Sequence, residues 1–235
     1  MSVTVLVIPH AGGMASAYYE FSKFADSYVD FNYVELAGRG ARMGEHLYEK
    51  FEESVNDIYQ NNIELFQQKN YVLFGHSMGS WLAYELYYKI KEEGQPLPMH
   101  LFFSGNVSPF AQRFLNYRDM SDEEFIEDIL KKEQTSKEVF MNRELREIFL
   151  PILRADFKML EEYRPKDDRE PINCNISVLC GLRDPLLKNG VTEWEKLTTK
   201  ECEITYFEGN HFYLFDNMPN IFDYIYRTVE MYNNI

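Results

Sequence analysis

Six residues, Gly75-His76-Ser77-Met78-Gly79-Ser80, constrain this chain more than any other stretch. An apolar run, Tyr71-Val72-Leu73-Phe74, leads in, and a helix-like stretch, Trp81-Leu82-Ala83-Tyr84-Glu85-Leu86, leads out. The pattern predicts strand, sharp turn, helix, with Ser77 at the joint. So tight a turn holds its serine in a strained backbone conformation, and side chains at Gly75 or Gly79 would collide with the adjoining strand and helix. The hydroxyl then stands clear of the sheet with a helix N-terminus aimed at it. The Met78 N–H becomes one donor for a developing oxyanion. Taken alone, the pattern is a Gly-rich turn that happens to hold a serine; the flanking elements make Ser77 a candidate nucleophile.

Upstream, the β-branched run Val3 to Ile8 predicts a strand in the middle of a sheet, ending at Pro9-His10-Ala11-Gly12-Gly13. A loop in this place is where α/β-hydrolases carry the second oxyanion N–H, assigned here to Ala11 with Gly12 as the nearby alternative. The plain alternative is a tight turn and nothing more. His10 is read as a wall residue. Ser16 to Phe24 predicts a helix, Phe31 to Leu36 a second strand, and Phe51 to Phe66 an amphipathic helix. Between these, Arg39 and Arg42 are basic residues in an acidic chain, and pairing with carboxylates is preferred over holding a phosphate-bearing arm.

Downstream, Leu101 to Gly105 predicts a strand followed by Asn106-Val107-Ser108-Pro109, which offers no acid. Residues 116–163 change character to helical segments, beginning with a Ser121 cap and an acidic first turn. An insert of this size here is expected to be a lid, with Phe125, Ile129, Phe140 and Phe149 as apolar residues that either line it or pack on the sheet. Cys174 to Leu179 returns to strand, and Asp184 follows in a loop; Asp156, Asp167 and Asp168 are the competing carboxylates. After a last strand, Ile204 to Phe207, comes His211, also in a loop. His46 and His100 have no such context, and His76 lies inside the turn. The order Ser77, Asp184, His211 is the nucleophile–acid–base order of α/β-hydrolases. The expected architecture is therefore α/β: one domain over 1–235, with a mostly parallel central sheet flanked by helices and a helical lid insertion over about 116–163.

The net charge of −14 argues against nucleic acid or anionic lipid as partner, and no stretch approaches the length of a membrane span. The N-terminal stretch reads as a strand, without the basic flank of a signal peptide. Cys174, Cys180 and Cys202 lack metal-ligand spacing and read as reduced thiols, which suits a cytoplasm. No metal or redox cofactor is expected, and a monomer is.

Several stretches together resemble the type II thioesterases, stand-alone editing enzymes of nonribosomal peptide and polyketide synthesis. They are Pro9-His10-Ala11-Gly12-Gly13, Ala37-Gly38-Arg39-Gly40-Ala41-Arg42, the Ser77 turn, Ser104-Gly105 with Pro109, Leu150-Pro151-Ile152-Leu153-Arg154-Ala155-Asp156, and Gly209-Asn210-His211-Phe212. They run in the family's order across nearly the whole chain, and the Leu150–Asp156 segment is the most specific. The resemblance puts nucleophile, acid and base on Ser77, Asp184 and His211, and the oxyanion donors on Ala11 and Met78. It implies hydrolysis of acyl or aminoacyl thioesters from the 4′-phosphopantetheine arm of carrier proteins, with docking sought on the lid and around Arg39 and Arg42. Departures are Ala37 for the family's proline, Asn210 for its second glycine, and Lys131-Lys132-Glu133-Gln134-Thr135 for its lid Gly-Gly pair. An acyl-CoA or small-ester hydrolase, and a carrier-binding protein with a vestigial triad, are the other readings.

Overall fold

The computed structural model describes residues 2–111, 116–132, 135, 137–187 and 189–232. Its strands are β1 (Val3–Ile8), β2 (Val29–Tyr33), β3 (Tyr71–His76), β4 (His100–Ser104), β5 (Asn175–Gly181) and β6 (Cys202–Phe207). They form one sheet in the order β2-β1-β3-β4-β5-β6. Every neighbouring pair is parallel. The helices are α1 (Phe51–Asn61), α2 (Ile63–Phe66), α3 (Met78–Glu92), α4 (Asp122–Lys131), α5 (Lys137–Met141), α6 (Arg143–Glu162), α7 (Tyr213–Asp216) and α8 (Met218–Met231).

The central strands are apolar on both faces because helices cover both faces. Alternation along each strand divides the core in two. Leu6, Ile8, Leu73, Leu101, Phe103, Ile176 and Val178 join α1, α3 and α6 in one cluster. Val5, Val7, Val72, Phe74, Phe102 and Leu179 join the 3-10 stretch Ala15–Phe24 and α8 in the other. On the first face Trp194 stacks on Phe103 with ring centroids 4.0 Å apart.

Local chemistry shifts two boundaries from those expected. The second strand is Val29–Tyr33 and not Phe31 to Leu36, because pairing with β1 runs from Val3↔Val29 to Val7↔Tyr33 and ends there. The single helix expected over Phe51 to Phe66 breaks at Asn62 (φ −126°, ψ 20°). Its side-chain amide donates to the Ile58 carbonyl at 2.8 Å, taking the place of the backbone bond that would have continued the helix.

Between β4 and β5 the chain forms α4, α5 and α6. The capping box at the start of α4 is present: Ser121 Oγ accepts from the Glu124 N–H at 3.3 Å, and Glu124 accepts from the Ser121 N–H at 2.8 Å. Phe125 and Ile129 are buried against the first cluster, and Phe140 and Phe149 are half-buried on it. Packing thus accounts for all four. Glu133 and Gln134 lie outside the described residues.

The strand order reverses at β1, with β2 on one side and β3 on the other. Loops leaving the carboxyl ends of β1 and β3 therefore diverge and open a crevice, the usual place for a ligand in an open α/β sheet.

Candidate active site

Ser77 sits in that crevice with φ 55° and ψ −116°, the one non-glycine at positive φ among the described residues. The glycines around it permit the turn. A Cβ on Gly75 would stand 2.0 Å from the Gly79 carbonyl oxygen, and one on Gly79 would stand 2.2 Å from the Ile8 carbonyl oxygen. Those are backbone atoms of α3 and β1, so neither can give way. The loop after β4 holds the turn from the other side. Ser77 N–H donates to the Ser104 carbonyl at 2.7 Å, and Asn106 Nδ2 donates to the Ser77 carbonyl at 2.7 Å. Ser80 Oγ donates within reach of both the Gly75 and Ser104 carbonyls, each at 2.9 Å.

His211 Nε2 lies 2.9 Å from Ser77 Oγ, and His211 Nδ1 lies 2.7 Å from Asp184 Oδ2. His211 and Asp184 are both buried, 1% and 6% exposed. The other Asp184 oxygen accepts the Leu186 N–H at 2.9 Å, which leaves the carboxylate one orientation. The loops carrying Asp184 and His211 are joined by backbone: Arg183 N–H donates to the Gly209 carbonyl at 2.8 Å. A Cβ at Gly181 would meet the Asn210 carbonyl oxygen at 2.2 Å, so only glycine allows that approach. The competing carboxylates are elsewhere: Asp167 and Asp168 are exposed, and Asp156 pairs with Arg39.

Among the described residues neither the Ala11 nor the Met78 N–H has a hydrogen-bond partner, whereas the Gly12 N–H donates to Asp156 Oδ2 at 2.7 Å. Of the two loop donors considered from sequence, Ala11 is the one left open. Met78 also begins α3, whose N-terminal partial positive charge faces the Ser77 hydroxyl.

Two further histidines, His10 and His76, are neutral neighbours of the site. Burial, then the charges of His211 and Arg39, lower His10 to about 3. Tyr18 Oη accepts the His10 N–H at 3.2 Å and lies 2.6 Å from His10 Nδ1. His10 packs its ring on Phe212, centroids 5.0 Å apart, as the wall expected of it. His76 is held well below its ordinary value by burial, with Nδ1 2.8 Å from Ser104 Oγ. Burial also pushes Cys174, Cys180 and Cys202 up to about 12, so none offers a thiolate. A cavity of about 810 Å³ opens beside the Ala11 loop, lined by Leu130, Val139, Phe149, Leu153 and Phe212 among others.

Arg39 and Arg42 pair with carboxylates, as preferred from sequence, and the docking patch sought around them fails at Arg39. Arg39 is completely buried, its guanidinium bidentate on Asp156 at 2.7 and 2.8 Å, so it cannot meet a carrier surface. Arg42 is committed to Asp57 and Glu45. The residues not foreseen are Ser104 and Asn106, which brace the nucleophile turn. Their signal is a pair of polar residues at the end of an apolar strand, where Ser104 enters only as part of the resemblance and Asn106 only as a position that offers no acid.

Among the described residues no group of three or more His, Cys, Asp or Glu side chains could hold a metal ion. No helix among them is long and apolar enough to cross a membrane.

A family model described as a thioesterase domain matches residues 3–228. The gramicidin S biosynthesis protein GrsT of Aneurinibacillus migulanus is 31% identical over 230 residues, covering 95% of this chain and 88% of that protein. The medium-chain S-acyl fatty acid synthase thioesterase of Anas platyrhynchos is 30% identical, covering 96% and 92%. The crystal structure of ClbQ from the colibactin NRPS/PKS pathway superposes with a TM-score of 0.92 at 30% identity, covering 98% of each chain.

Proposed function

This chain belongs to the thioesterase family, and from that premise we propose that it hydrolyses acyl or aminoacyl thioesters on the 4′-phosphopantetheine arm of carrier proteins, clearing misloaded nonribosomal peptide or polyketide synthases. The likeness to GrsT and ClbQ supports the pathway type. The observation that carries the chemistry is the unbroken chain Ser77 Oγ, His211, Asp184 at 2.9 and 2.7 Å on a strained serine.

In the proposed cycle Ser77 Oγ attacks the thioester carbonyl as its proton passes to His211 Nε2. Asp184 fixes the imidazole with Nδ1–H toward itself and stabilises the imidazolium. The N–H groups of Met78 and Ala11 take the oxyanion, each worth on the order of 10²–10³ in rate. Collapse breaks the C–S bond, and His211 gives its proton to the departing thiol sulfur, leaving an acyl ester on Ser77. Water then attacks that ester with His211 as base, and the acid leaves as Ser77 regains its proton. No cofactor takes part, the substrate bringing its own pantetheine. The chain works as one cytoplasmic α/β domain over 1–235, with the insert over 116–163 as a lid.

The test is intact-mass spectrometry of an acetyl-loaded carrier protein with wild type and Ser77→Ala, beside acetyl-CoA. Loss of the acyl mass from the carrier, slower loss from CoA, and neither with Ser77→Ala is the expected result. Equal or faster turnover of acetyl-CoA would reassign the protein to general acyl-thioester hydrolysis.

A further inference from the structure

The segment Leu150-Pro151-Ile152-Leu153-Arg154-Ala155-Asp156 lies within α6, and its last residue has no part in the chemistry just described. Asp156 is nonetheless completely buried, and its carboxylate is saturated. Oδ2 accepts the Gly12 N–H at 2.7 Å and Arg39 Nη1 at 2.7 Å, while Oδ1 accepts Arg39 Nη2 at 2.8 Å. Arg39 Nη1 also reaches the Gly13 carbonyl at 3.5 Å. One turn earlier Leu153 presses on the same loop: a Cβ at Gly12 would stand 2.5 Å from Leu153 Cδ2.

We infer that Asp156 is a positioning residue, which from the helical insert fixes the Gly12 peptide and with it the direction of the Ala11 N–H toward the oxyanion.

The loop needs such a fixture. Gly12 (φ 76°) and Gly13 follow Ala11; the Gly13 N–H closes the turn on the His10 carbonyl at 2.9 Å, and that bond still leaves the Ala11–Gly12 peptide at its centre free to rotate unless something holds it. A charge-assisted bond from a carboxylate is stronger than a neutral one and holds one N–H in one direction. With Gly12 committed, its neighbour is left to point into the crevice. A bare carboxylate one peptide away from a developing oxyanion would oppose it, and the bidentate guanidinium of Arg39 cancels that charge. The pair thus supplies a rigid acceptor without a net field. Arg154 anchors the other side of α6, donating to the Tyr117 and Met120 carbonyls at 2.9 Å and to Asp122 at 2.8 Å. The helix that carries Asp156 is therefore itself held.

This inference rests on the proposed roles of Ser77 and Ala11. Its test uses the full chain with butyryl-CoA as probe, thiol release as readout, and urea unfolding as the measure of stability. Removing one partner of a buried ion pair is strongly destabilising, whereas replacing both by apolar groups of similar volume is often neutral. The informative variant is therefore R39M/D156L, which removes the acceptor for Gly12 and leaves no lone charge. The expected result is stability recovered relative to D156L, KM within about threefold of wild type, and kcat lower by about 10- to 100-fold, part of one oxyanion donor's worth. Wild-type kcat in R39M/D156L would overturn the inference. If that variant does not fold, R39Q/D156M decides, since it too leaves no carboxylate for the Gly12 N–H and no lone charge: kcat at least about tenfold lower supports the inference, and unchanged kcat overturns it. Glu85→Gln on α3 breaks the pair with Arg169 and is expected to lose stability while keeping kcat; an equal fall in kcat there also refutes the positioning role. If wild type and Ser77→Ala are equally inactive on thioesters, the functional reading fails instead.

Discussion

Replacing Ser77 by glycine and, separately, by alanine tests the strain at the nucleophile. The backbone there (φ 55°, ψ −116°) is one that a residue with a Cβ adopts at a cost of about 1–3 kcal/mol. Both variants lose the hydroxyl and its 2.9 Å partner His211, so that loss cancels in the comparison. Glycine relieves the strain but adds about 0.5–1 kcal/mol of unfolded-chain entropy. The balance makes Ser77→Gly more stable than Ser77→Ala by about 0.5–2 kcal/mol. At an ordinary helix position the order is reversed, alanine exceeding glycine by about 1 kcal/mol, so the sign alone is diagnostic. Urea unfolding midpoints at equal slope give the difference, and for a chain of this size it amounts to about 1–8 °C in Tm. Neither variant should turn over a thioester. Alanine equal to or more stable than glycine would refute the claim that the turn stores strain for catalysis.

Gly79→Ala should cost at least about 2 kcal/mol, because its Cβ would overlap the Ile8 carbonyl; a Tm within 2 °C of wild type, about the shift a 1 kcal/mol change makes, would contradict this. Asn106→Ala strips the donor from the Ser77 carbonyl and should lower kcat more than it raises KM, with about 1–2 kcal/mol lost in stability; a pure KM effect would point to substrate binding instead. Burial lowers His100 to about 3, so it folds neutral and must be charged when unfolded below its ordinary value of 6.5. Its contribution is complete above about pH 6.5 and is lost as pH falls toward 3, amounting to about 2 kcal/mol by pH 5. Urea midpoints at pH 7 and 5 measure this, and His100→Asn should flatten the slope between them; an unchanged slope would exclude His100 as its source.

Much of the sheet was legible because burial on both faces writes itself as short apolar runs, as at Val3–Ile8 and Tyr71–Phe74. The Ser77 turn was legible because steric exclusion demands glycine at 75 and 79 and the apolar strand and helix on either side mark it as an elbow. Asp184 and His211 could be chosen because each follows a strand in a loop, and their bond to one another at 2.7 Å is a tertiary fact that spacing 27 residues apart cannot encode. What stayed hidden was long-range and polar. Pairing with a carboxylate is the preferred reading of Arg39, but the partner, Asp156, lies 117 residues away, and no local pattern names it. Asn62 broke a helix whose apolar spacing continued through it, since one side-chain amide outcompetes periodicity. Ser104 and Asn106 show locally only as polar residues ending an apolar strand; that they brace the turn after a different strand has no local signature.

The central claim is that Ser77 carries the acyl group between two steps. The direct measurement is rapid-quench peptide mapping of the wild-type protein mixed with an acyl-loaded carrier protein. The account predicts an added acyl mass on the Ser77 peptide that rises and decays with turnover, is absent in Ser77→Ala, and persists longer when water attack is slowed. Turnover with no adduct on Ser77, or an adduct on another residue, would contradict it.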